Sequence, residues 1–479
     1  MKNKKITIAL LIAIVCLLLG GALIVILMQT NGKKSETDEV EKVAQLGTFG
    51  EISECEIFFD VPIMDADGVS IGSATDYGEG NYIIDMNGSD LEDYKNYLTT
   101  LEGNGFKKHS DNGQDGMDGY IYTASYQKNE LTLTVTHIVK MDKTYVAACE
   151  NLPLSEHLNY SEEYMIGAQE GAQTKVHMPE LNWNGNSFII QLKNGHFIVE
   201  DGGNETDTLY LLDYLESLVP EGEKPVVEAW FMSHAHSDHY GVLKTFIEKP
   251  QLTSRIYVEG FYYVPISDTM IDMFTSEKSL KTSMFYVLRA ANAFKTQSGE
   301  MPKLYRPQPG QRYYFGDMSI DIPLTADLFT KDTWHTPDFN DTSTWLMHNI
   351  EGQRFLHAGD AGIGATKLGM MLYDEEYFDV DIFSVLHHGI NVYDYFTDYC
   401  TIDTLLYTCF REASMYEPSS KYSMVAQNEH LKESVLEYVS HGEGTVVLTF
   451  PYKVGTYEKM PASDWRYNIG KKPVRELLE

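Results

Sequence analysis

The chain has 479 residues, of which 43% are hydrophobic and 22% are charged, a composition typical of globular proteins rather than disordered or fibrous ones. Its 37 basic and 70 acidic residues give a net charge of −33 at pH 7. Because this surplus of negative charge repels phosphate backbones, it argues against a protein whose main partner is a nucleic acid. The length is sufficient for two or more domains.

Residues 1–28 are predicted to form a transmembrane signal anchor. Lys2, Lys4 and Lys5 precede an uncharged apolar run that is long enough to cross a bilayer. Since basic residues collect on the cytoplasmic side, the chain is expected to span the cell membrane once and to place its remaining domains outside the cytoplasm. A cleaved signal peptide is the alternative. The polar residues 29–47 are expected to form a linker.

Residues 48–155 are predicted to form a small α+β module of unknown role. Residues 56–61, 81–86 and 131–136 have the composition or alternation of strands, and Ser89 or Asp90 could cap a helix that follows. No pattern here indicates chemistry. Residues 156–180 are expected to connect this module to a larger domain at 181–479.

The chemistry of the larger domain is concentrated in residues 233–239, which have the pattern H-x-H-x-D-H. An apolar strand is predicted immediately before them and a helix immediately after them. His234 and His236 point to one side of an extended segment, while Asp238 and His239 lie beyond the bend. Mixed imidazole and carboxylate ligation suits zinc, and also manganese or iron(II).

Two later predicted strands deliver further donors at their ends. Residues 353–360 end in Gly359-Asp360, and residues 380–389 end in His387-His388-Gly389. A carboxylate from one strand end and an imidazole from another would close a site for two cations, with Asp360 bridging them. Such a pair can polarise an ester and generate hydroxide from water near neutral pH.

In combination, these motifs resemble the metallo-β-lactamase fold superfamily across residues 180–455. The resemblance implies an αββα sandwich, so the chain as a whole is expected to be α+β, with the small module and the transmembrane helix in front. It implies that the first ion is held by His234, His236 and Asp360, and the second by Asp238, His239, Asp360 and His388. Asp201 matches a position that supports the ligands from behind.

The nearest likeness is to a branch that holds competence DNA-uptake hydrolase domains and choline-phosphate esterases. The stretch from Asn340 to Ser343 and the pair His387-His388 carry this likeness. It implies that Asn340 and Ser343 lie behind the ligands or against the substrate. It also implies that His387 lies beside the ions and hydrogen-bonds an anionic substrate. In the hydrolysis that we predict, Asp238 orients the attacking hydroxide, so Asp238 and His387 are the predicted catalytic residues.

The chain departs from the family in one respect. Typical members have a further ligand His between the first motif and the Gly-Asp pair. His335, His348 and His357 lie in this interval without the expected context. Each is expected to be structural or substrate-facing rather than a ligand, and β-lactam hydrolysis is not expected.

Near the end of the chain, a helix is predicted through residue 438.

The sequence therefore predicts a membrane-anchored, extracytoplasmic hydrolase that uses two divalent metal ions, zinc being preferred. Its substrate would be a small-molecule or cell-envelope ester, including phosphoesters, so phosphodiesterase activity is one expectation. Two alternatives are a non-catalytic surface binding protein on the same fold and a competence-type nuclease. The acidity makes nucleic acid an unfavoured partner, and the oligomeric state is left open.

Overall fold

A computed structural model describes residues 55–72, 74–78, 80–150, 152, 154–155, 158, 167–266, 271, 285–326, 338–389, 394–410, 434–442 and 444–460. All of them belong to one compact unit, Phe49–Glu479. The predicted anchor at 1–28 and linker at 29–47 lie outside the described residues. Within the described ranges, no helix combines the length and apolar composition that a membrane span needs.

The front module is built on a seven-stranded antiparallel sheet in the order β1-β3-β7-β6-β5-β4, with β2 paired to β3. Its strands are β1 (Ser70–Ile71), β2 (Thr75–Gly78), β3 (Asn81–Asn87), β4 (Lys107–Asp111), β5 (Ile121–Lys128), β6 (Leu131–Ile138) and β7 (Lys143–Glu150). The strands predicted at 81–86 and 131–136 are present. The strand predicted at 56–61 is wrong, because Glu56–Phe58 is a short 3-10 helix that buries only Phe58.

Helix α1 (Leu91–Gly103) covers one face of this sheet. Asp90 caps it, since its side chain accepts hydrogen bonds from the backbone N–H groups of Glu92 and Asp93. Tyr94, Tyr97 and Leu101 pack on the sheet in a core of the module's own. The helix is therefore found where it was predicted, and of the two candidate caps, Ser89 and Asp90, the structure has Asp90.

The larger part of the chain contains two further sheets. The first has nine strands in the order β14-β13-β11-β10-β9-β8-β22-β23, with β12 paired to β11. These are β8 (Lys175–Met178), β9 (Ser187–Gln191), β10 (Phe197–Asp201), β11 (Val226–Phe231), β12 (Tyr257–Val258), β13 (Gly260–Tyr262), β14 (Lys303–Tyr305), β22 (Val446–Thr449) and β23 (Glu458–Lys459).

The second of these sheets has seven strands paired in chain order from β15 to β21. They are β15 (Arg312–Phe315), β16 (Met318–Asp321), β17 (Leu346–Ile350), β18 (Gln353–His357), β19 (Asp379–Ser384), β20 (Thr401–Phe410) and β21 (Glu437–Gly442). The helix predicted through residue 438 is wrong at its end, because Glu437 begins β21, which pairs with β20. Its earlier part lies outside the described residues.

The two sheets face each other across a shared apolar core. Side chains from alternate positions of both sheets fill it, and Phe188 of β9 meets Phe355 of β18 with ring centroids 5.2 Å apart. The intervening positions point outward, where Val199 and Trp230 join the core beneath the helices. This alternation is the two-residue period of buried strands.

Helices cover the outer faces of the sandwich. They are α2 (Thr208–Ser217), α3 (Ser237–Glu248), α4 (Tyr286–Ala291), α5 (Ile363–Leu372) and α6 (Asp394–Thr397). Residues of α2 and α3 pack with the first sheet, and residues of α5 pack with the second. The described part of the larger domain thus has the layered, mixed α/β architecture expected of an αββα sandwich.

The module's second sheet face packs against the sandwich domain. Ile83, Ile121 and Tyr145 join the large outer core of that domain. Met117 lies against the hydroxyls of Tyr373 and Tyr377, at 3.8 and 3.2 Å from Sδ. The module is therefore docked through a buried apolar face.

Candidate metal centre

The predicted donors lie at the carboxyl ends of strands in both sheets of the sandwich. β11 leads into His234 and His236, and the first turn of α3 carries Asp238 and His239. β18 leads to Asp360, which follows Gly359, and β19 leads to the turn Leu386–Gly389. Because β10 runs parallel to β11 and β18 runs parallel to β19, these ends meet at one edge of the sandwich.

Within the described part of the chain, side chains able to hold a cation come together in two groups. The four-donor group comprises Asp238, His239, Asp360 and His388, and the three-donor group comprises His234, His236 and Asp360. Asp360 belongs to both. The six side chains that the sequence assigned as ligands are thus brought together, in the same two sets.

The distances within the four-donor group fit one cation. His239 Nε2 lies 3.2 Å from Asp360 Oδ1, and His388 Nε2 lies 3.3 Å from Asp360 Oδ2 and 3.4 Å from Asp238 Oδ2. Two ligands that each lie about 2.0–2.1 Å from a tetrahedral ion are about 3.3 Å apart. The observed spacing therefore corresponds to neighbouring corners of one coordination shell.

The buried atoms of this group also lack other partners. His239 Nε2, His388 Nε2 and Asp360 Oδ1 are fully buried and make no hydrogen bond within the described structure. Buried polar atoms without hydrogen bonds are rare and costly. A cation in their midst would satisfy all three, so the residues fit a metal ion.

The three-donor group has a similar but more open arrangement. His234 Nε2 lies 2.9 Å from His236 Nδ1 and 3.9 Å from Asp360 Oδ2. His234 is buried, whereas His236 is partly exposed and its ring lies 5.2 Å from that of Phe339. Both ring nitrogens face the same space, which places a second cation position beside the first.

Neighbouring charges and burial decide the protonation of these donors in the ion-free protein. Burial favours the neutral acid at Asp360, but the imidazoles of His388 and His239 hold its pKa well below the usual range. Burial likewise opposes charge on His388, yet Asp360 and Asp238 raise its pKa to about 9. Burial, reinforced by His239 and His236, lowers the pKa of His234 well below its usual value.

Asp201 supports the site from behind, at the end of β10. Its Oδ2 lies 2.6 Å from His239 Nδ1, and its two oxygens accept the backbone N–H and the hydroxyl of Ser233 at 2.8 and 2.7 Å. Its backbone has a φ of 51°, which is uncommon for a residue other than glycine. This strained turn aims a buried carboxylate at a ligand, as the resemblance implied.

The turn that carries His387 and His388 has the same character. Their φ angles are 47° and 55°. His388 is buried and its Nδ1 lies 3.1 Å from both the carbonyl and the hydroxyl oxygen of Thr408. His387 belongs to neither donor group, is partly exposed, and holds its Nε2 3.9 Å from Asp360 Oδ2. It is thus placed beside the cations, where a substrate would approach, and burial lowers its pKa.

Ser343 is closer to the donors than Asn340. Ser343 Oγ lies 3.3 Å from His234 Nδ1 and accepts the backbone N–H of Asp360 at 3.2 Å. The backbone carbonyl of Asn340 accepts the Ser343 hydroxyl at 2.8 Å, and the Asn340 side chain is buried. A glycine is required at position 359, next to Asp360. A Cβ there would lie 2.9 Å from Ser343 Oγ, and the backbone φ of 53° is one that glycine adopts readily.

The additional histidines are distributed differently from the ligands. His348 and His357 are buried between the sheets and both bind the carboxylate of Glu200, which lies on β10. Despite burial, His348 and His357 lower the pKa of Glu200 to about 2. These contacts are structural, which is one of the two roles that we expected for His348 and His357. His335 lies outside the described residues.

An asparagine-rich turn, residues 182–186, was not identified from the sequence. Asn184 Nδ2 donates to Asp238 Oδ2 at 2.6 Å, and the Asn186 backbone N–H donates to the Asp238 carbonyl at 2.9 Å. Asn182 Nδ2 fixes the turn through a 2.6 Å hydrogen bond to Asp207. The turn therefore holds a donor carboxylate across 54 residues of sequence.

No family model matches the chain, and no curated protein matches it. Solved structures do: the metallo-β-lactamase fold protein YhfI from Bacillus subtilis, with a TM-score of 0.31 and 13% identity, covers 56% of this chain and 95% of its own. A metallo-β-lactamase with a HARLDQ motif from Cronobacter sakazakii has a TM-score of 0.25 and 15% identity, covering 46% of this chain and 80% of its own.

A metallo-β-lactamase from Hirschia baltica has a TM-score of 0.20 and 12% identity, and covers 61% of this chain and 70% of its own. These neighbours are metallo-β-lactamase fold proteins, at a distance that assigns no activity. None of the three singles out the competence or choline-phosphate esterase branch, which stays a prediction. The evidence for a metal centre is the donor geometry of the chain itself.

Proposed function

We propose that the chain is a metal-dependent hydrolase that cleaves a phosphoester or another ester bond. The observation that supports this most directly is the pair of donor groups that share Asp360. Two divalent cations bound there, zinc by preference, would lower the pKa of water and polarise the ester. The remaining chemistry belongs to the chain's own residues.

Asp238 and His387 are the side chains proposed to act on the reactants. The imidazole of His388 lowers the pKa of Asp238 against the effect of burial, so Asp238 is a carboxylate that can accept a hydrogen bond from water. His387 is proposed to hydrogen-bond the ester or its leaving group, because it lies beside Asp360 without joining either donor group. Asp201 and Ser343 keep the imidazoles in orientation.

The proposed location is outside the cytoplasm, at the cell membrane, with residues 1–28 as the anchor. The apolar run and its basic flank support this proposal. The partner is proposed to be a small-molecule or cell-envelope ester. The net charge of −33 disfavours the nuclease alternative, because nucleic acids would be repelled.

The test is a panel of chromogenic phosphate monoesters, phosphate diesters and carboxylate esters, offered to the purified chain after loading with Zn²⁺ or Mn²⁺. Turnover is expected for at least one ester class and is expected to fall at least about a thousandfold in Asp238→Ala and Asp360→Asn, as for removal of transition-state stabilisation. If the chain binds two ions but turns over no ester, the hydrolase proposal is wrong and the non-catalytic binding protein is favoured.

A further inference from the structure

Among the described residues, the two donor groups differ in the number of ligands that they offer. The four-donor group contributes two carboxylates and two imidazoles, while the three-donor group contributes two imidazoles and the shared carboxylate of Asp360. Structural zinc sites usually have four protein ligands, whereas three leave a coordination position open. The difference in number alone favours tighter binding by the four-donor group.

The groups also differ in the partners of the imidazole nitrogens that face away from the cation position. His239 Nδ1 faces the buried carboxylate of Asp201 at 2.6 Å. A carboxylate in this position fixes the ring and makes the metal-binding nitrogen more basic. In the same group, Asp238 is held by Asn184 at 2.6 Å, and His388 by the carbonyl of Thr408 at 3.1 Å.

The imidazoles of the three-donor group have weaker support. Of the described residues, His234 Nδ1 faces two hydroxyl oxygens, Ser233 Oγ at 3.1 Å and Ser343 Oγ at 3.3 Å. Neutral hydroxyls at these distances add less basicity than a carboxylate does. For His236 Nε2, no hydrogen-bond partner occurs among the described residues, and the ring is partly exposed.

From these differences we infer that the two cation positions are unequal. The four-donor group holds a resident ion, and the three-donor group holds a second ion that exchanges with the solution. The second ion therefore makes activity depend on the free concentration of divalent cation, and this regulatory consequence rests on the proposed function. The inequality of the two positions does not depend on it.

The experiment titrates the ion-free full chain with Zn²⁺ in the presence of a competing chelator of known affinity. Two binding steps are expected, with affinities at least about tenfold apart, because one outer carboxylate alone changes affinity about 10- to 100-fold. Dialysis against zinc buffered between the two affinities is expected to leave one ion per chain. Two indistinguishable steps, or one step of two ions, would overturn the inference.

Two variants assign the steps to the groups. His236→Ala is expected to remove the weaker step and to leave the tighter step unchanged. Asp201→Asn is expected to weaken the tighter step about 10- to 100-fold. The opposite assignment, in which His236→Ala removes the tighter step, would overturn the inference. Circular dichroism checks that each variant is folded, and the wild-type titration decides the inequality if a variant is not.

Ester turnover is then measured at zinc concentrations that span both steps. Activity is expected to follow occupancy of the weaker position rather than the tighter one. Activity that is complete with one ion bound would overturn the regulatory part while leaving the hydrolase proposal intact. Two unequal steps without turnover of any ester would instead refute the hydrolase proposal and leave the inequality standing.

Discussion

The amide of Asn184 donates to Oδ2 of Asp238, which is the more exposed of the two donor carboxylates. Asp238 lies in the first turn of α3, and its carboxylate also lies 3.4 Å from His388 Nε2, which is itself a donor to the cation position. A single amide on a distant turn thus helps to set the direction of a ligand. Outer partners of this kind affect metal affinity without touching the ion.

We therefore expect Asn184→Ala to weaken zinc binding by the four-donor group about tenfold or more, because the carboxylate loses its orientation. Chelator competition at neutral pH measures the change. The matched control is Asn194→Ala, in the turn between β9 and β10. It removes a 2.8 Å hydrogen bond to Glu228 and should leave zinc affinity unchanged. Equal affinities in Asn184→Ala and wild type would contradict this role.

At the scale of single residues, the sequence predicts the donors and, through the resemblance, the supports Asp201 and Ser343. It does not predict the turn that carries Asn184 or the carboxylate of Glu200. His234, His236, Asp238 and His239 are within six residues of one another, so local geometry places them together. The supports pair across long separations: 54 residues between Asn184 and Asp238, and 157 between Glu200 and His357. Nothing in the residue type of an asparagine or a buried glutamate indicates such a partner.

Helix α3 depends on a close approach to the loop before α2. A Cβ on Gly241 would lie 2.5 Å from the backbone nitrogen of Glu205 and 2.8 Å from Cα of Asn204. Backbone atoms cannot move aside as a flexible side chain can. The glycine therefore allows α3, and the two donors at its start, to lie directly on this loop.

Gly241→Ala is expected to destabilise the chain by about 1–3 kcal/mol through overpacking, and to weaken zinc binding as α3 shifts. Denaturant unfolding and zinc titration measure the two effects. Gly103→Ala in α1 is the control, because no atom lies within 4 Å of its Cβ. That change should be neutral or stabilise by up to about 1 kcal/mol. Matching losses in both variants would contradict the close-approach argument.

Strand β8 carries a buried imidazole that makes stability depend on pH. His177 Nδ1 lies 2.8 Å from the hydroxyl of Tyr214. Burial, with a smaller contribution from Lys175, lowers the pKa of His177 to about 3 from its usual value of 6.5. Between these two pKa values, the imidazole is protonated in the unfolded chain but neutral in the folded chain. The free energy of unfolding therefore falls as the pH falls.

Replacing this imidazole should remove that pH dependence. We expect the free energy of unfolding of the wild type to fall between pH 6.5 and pH 3 more steeply than that of His177→Gln. The difference in slope approaches about 1.4 kcal/mol per pH unit, the value for one proton. Denaturant unfolding at several pH values measures it, and parallel curves for the two proteins would contradict the assignment.

Elements were predictable where periodicity and end signals agreed. Asp90 and the helical spacing after it indicated α1, and the alternating residues 131–136 indicated β6. Residues 56–61 failed because a short apolar run does not distinguish a strand from a buried turn. The end of the predicted helix near residue 438 failed because pairing with β20 overrode local preference.

At the scale of the whole molecule, the front module and the sandwich domain share a buried face. Met117 of the module packs against the stacked rings of Tyr373 and Tyr377 in the sandwich domain, whose centroids are 4.0 Å apart. Tyr120 adds an edge contact with Tyr373 at 5.3 Å and a 3.1 Å hydrogen bond to Asp374. A face of this kind couples the two parts energetically.

We expect the described unit to unfold in one cooperative transition, and Met117→Ala to lower its stability by about 2–5 kcal/mol, because the change leaves a cavity. Calorimetry and denaturant unfolding measure both. Met301→Ala, at a side chain that is 46% exposed, is the control and should change stability by less than about 0.5 kcal/mol. Two separate transitions in the wild type would show that the parts unfold independently.

The layered sandwich was predicted through the family resemblance that the strand-end motifs carry, but the docking of the module was not predicted. The residues that dock, such as Ile83 and Tyr145, alternate with the residues that pack under α1, and both sets are apolar. A sequence shows that both faces of a sheet are apolar but not what covers each one. The partner face exists only after the larger domain has folded.

The donors are supplied by both sheets, since Asp238 and His239 follow β11 while Asp360 and His388 follow β18 and β19. Any cation held by all four would tie the layers together at one edge, much as a cross-link does. Removing it would then lower the free energy of unfolding, because an ion that binds only the folded state stabilises that state. The stability of this molecule would therefore depend on how much of the trace element its surroundings supply.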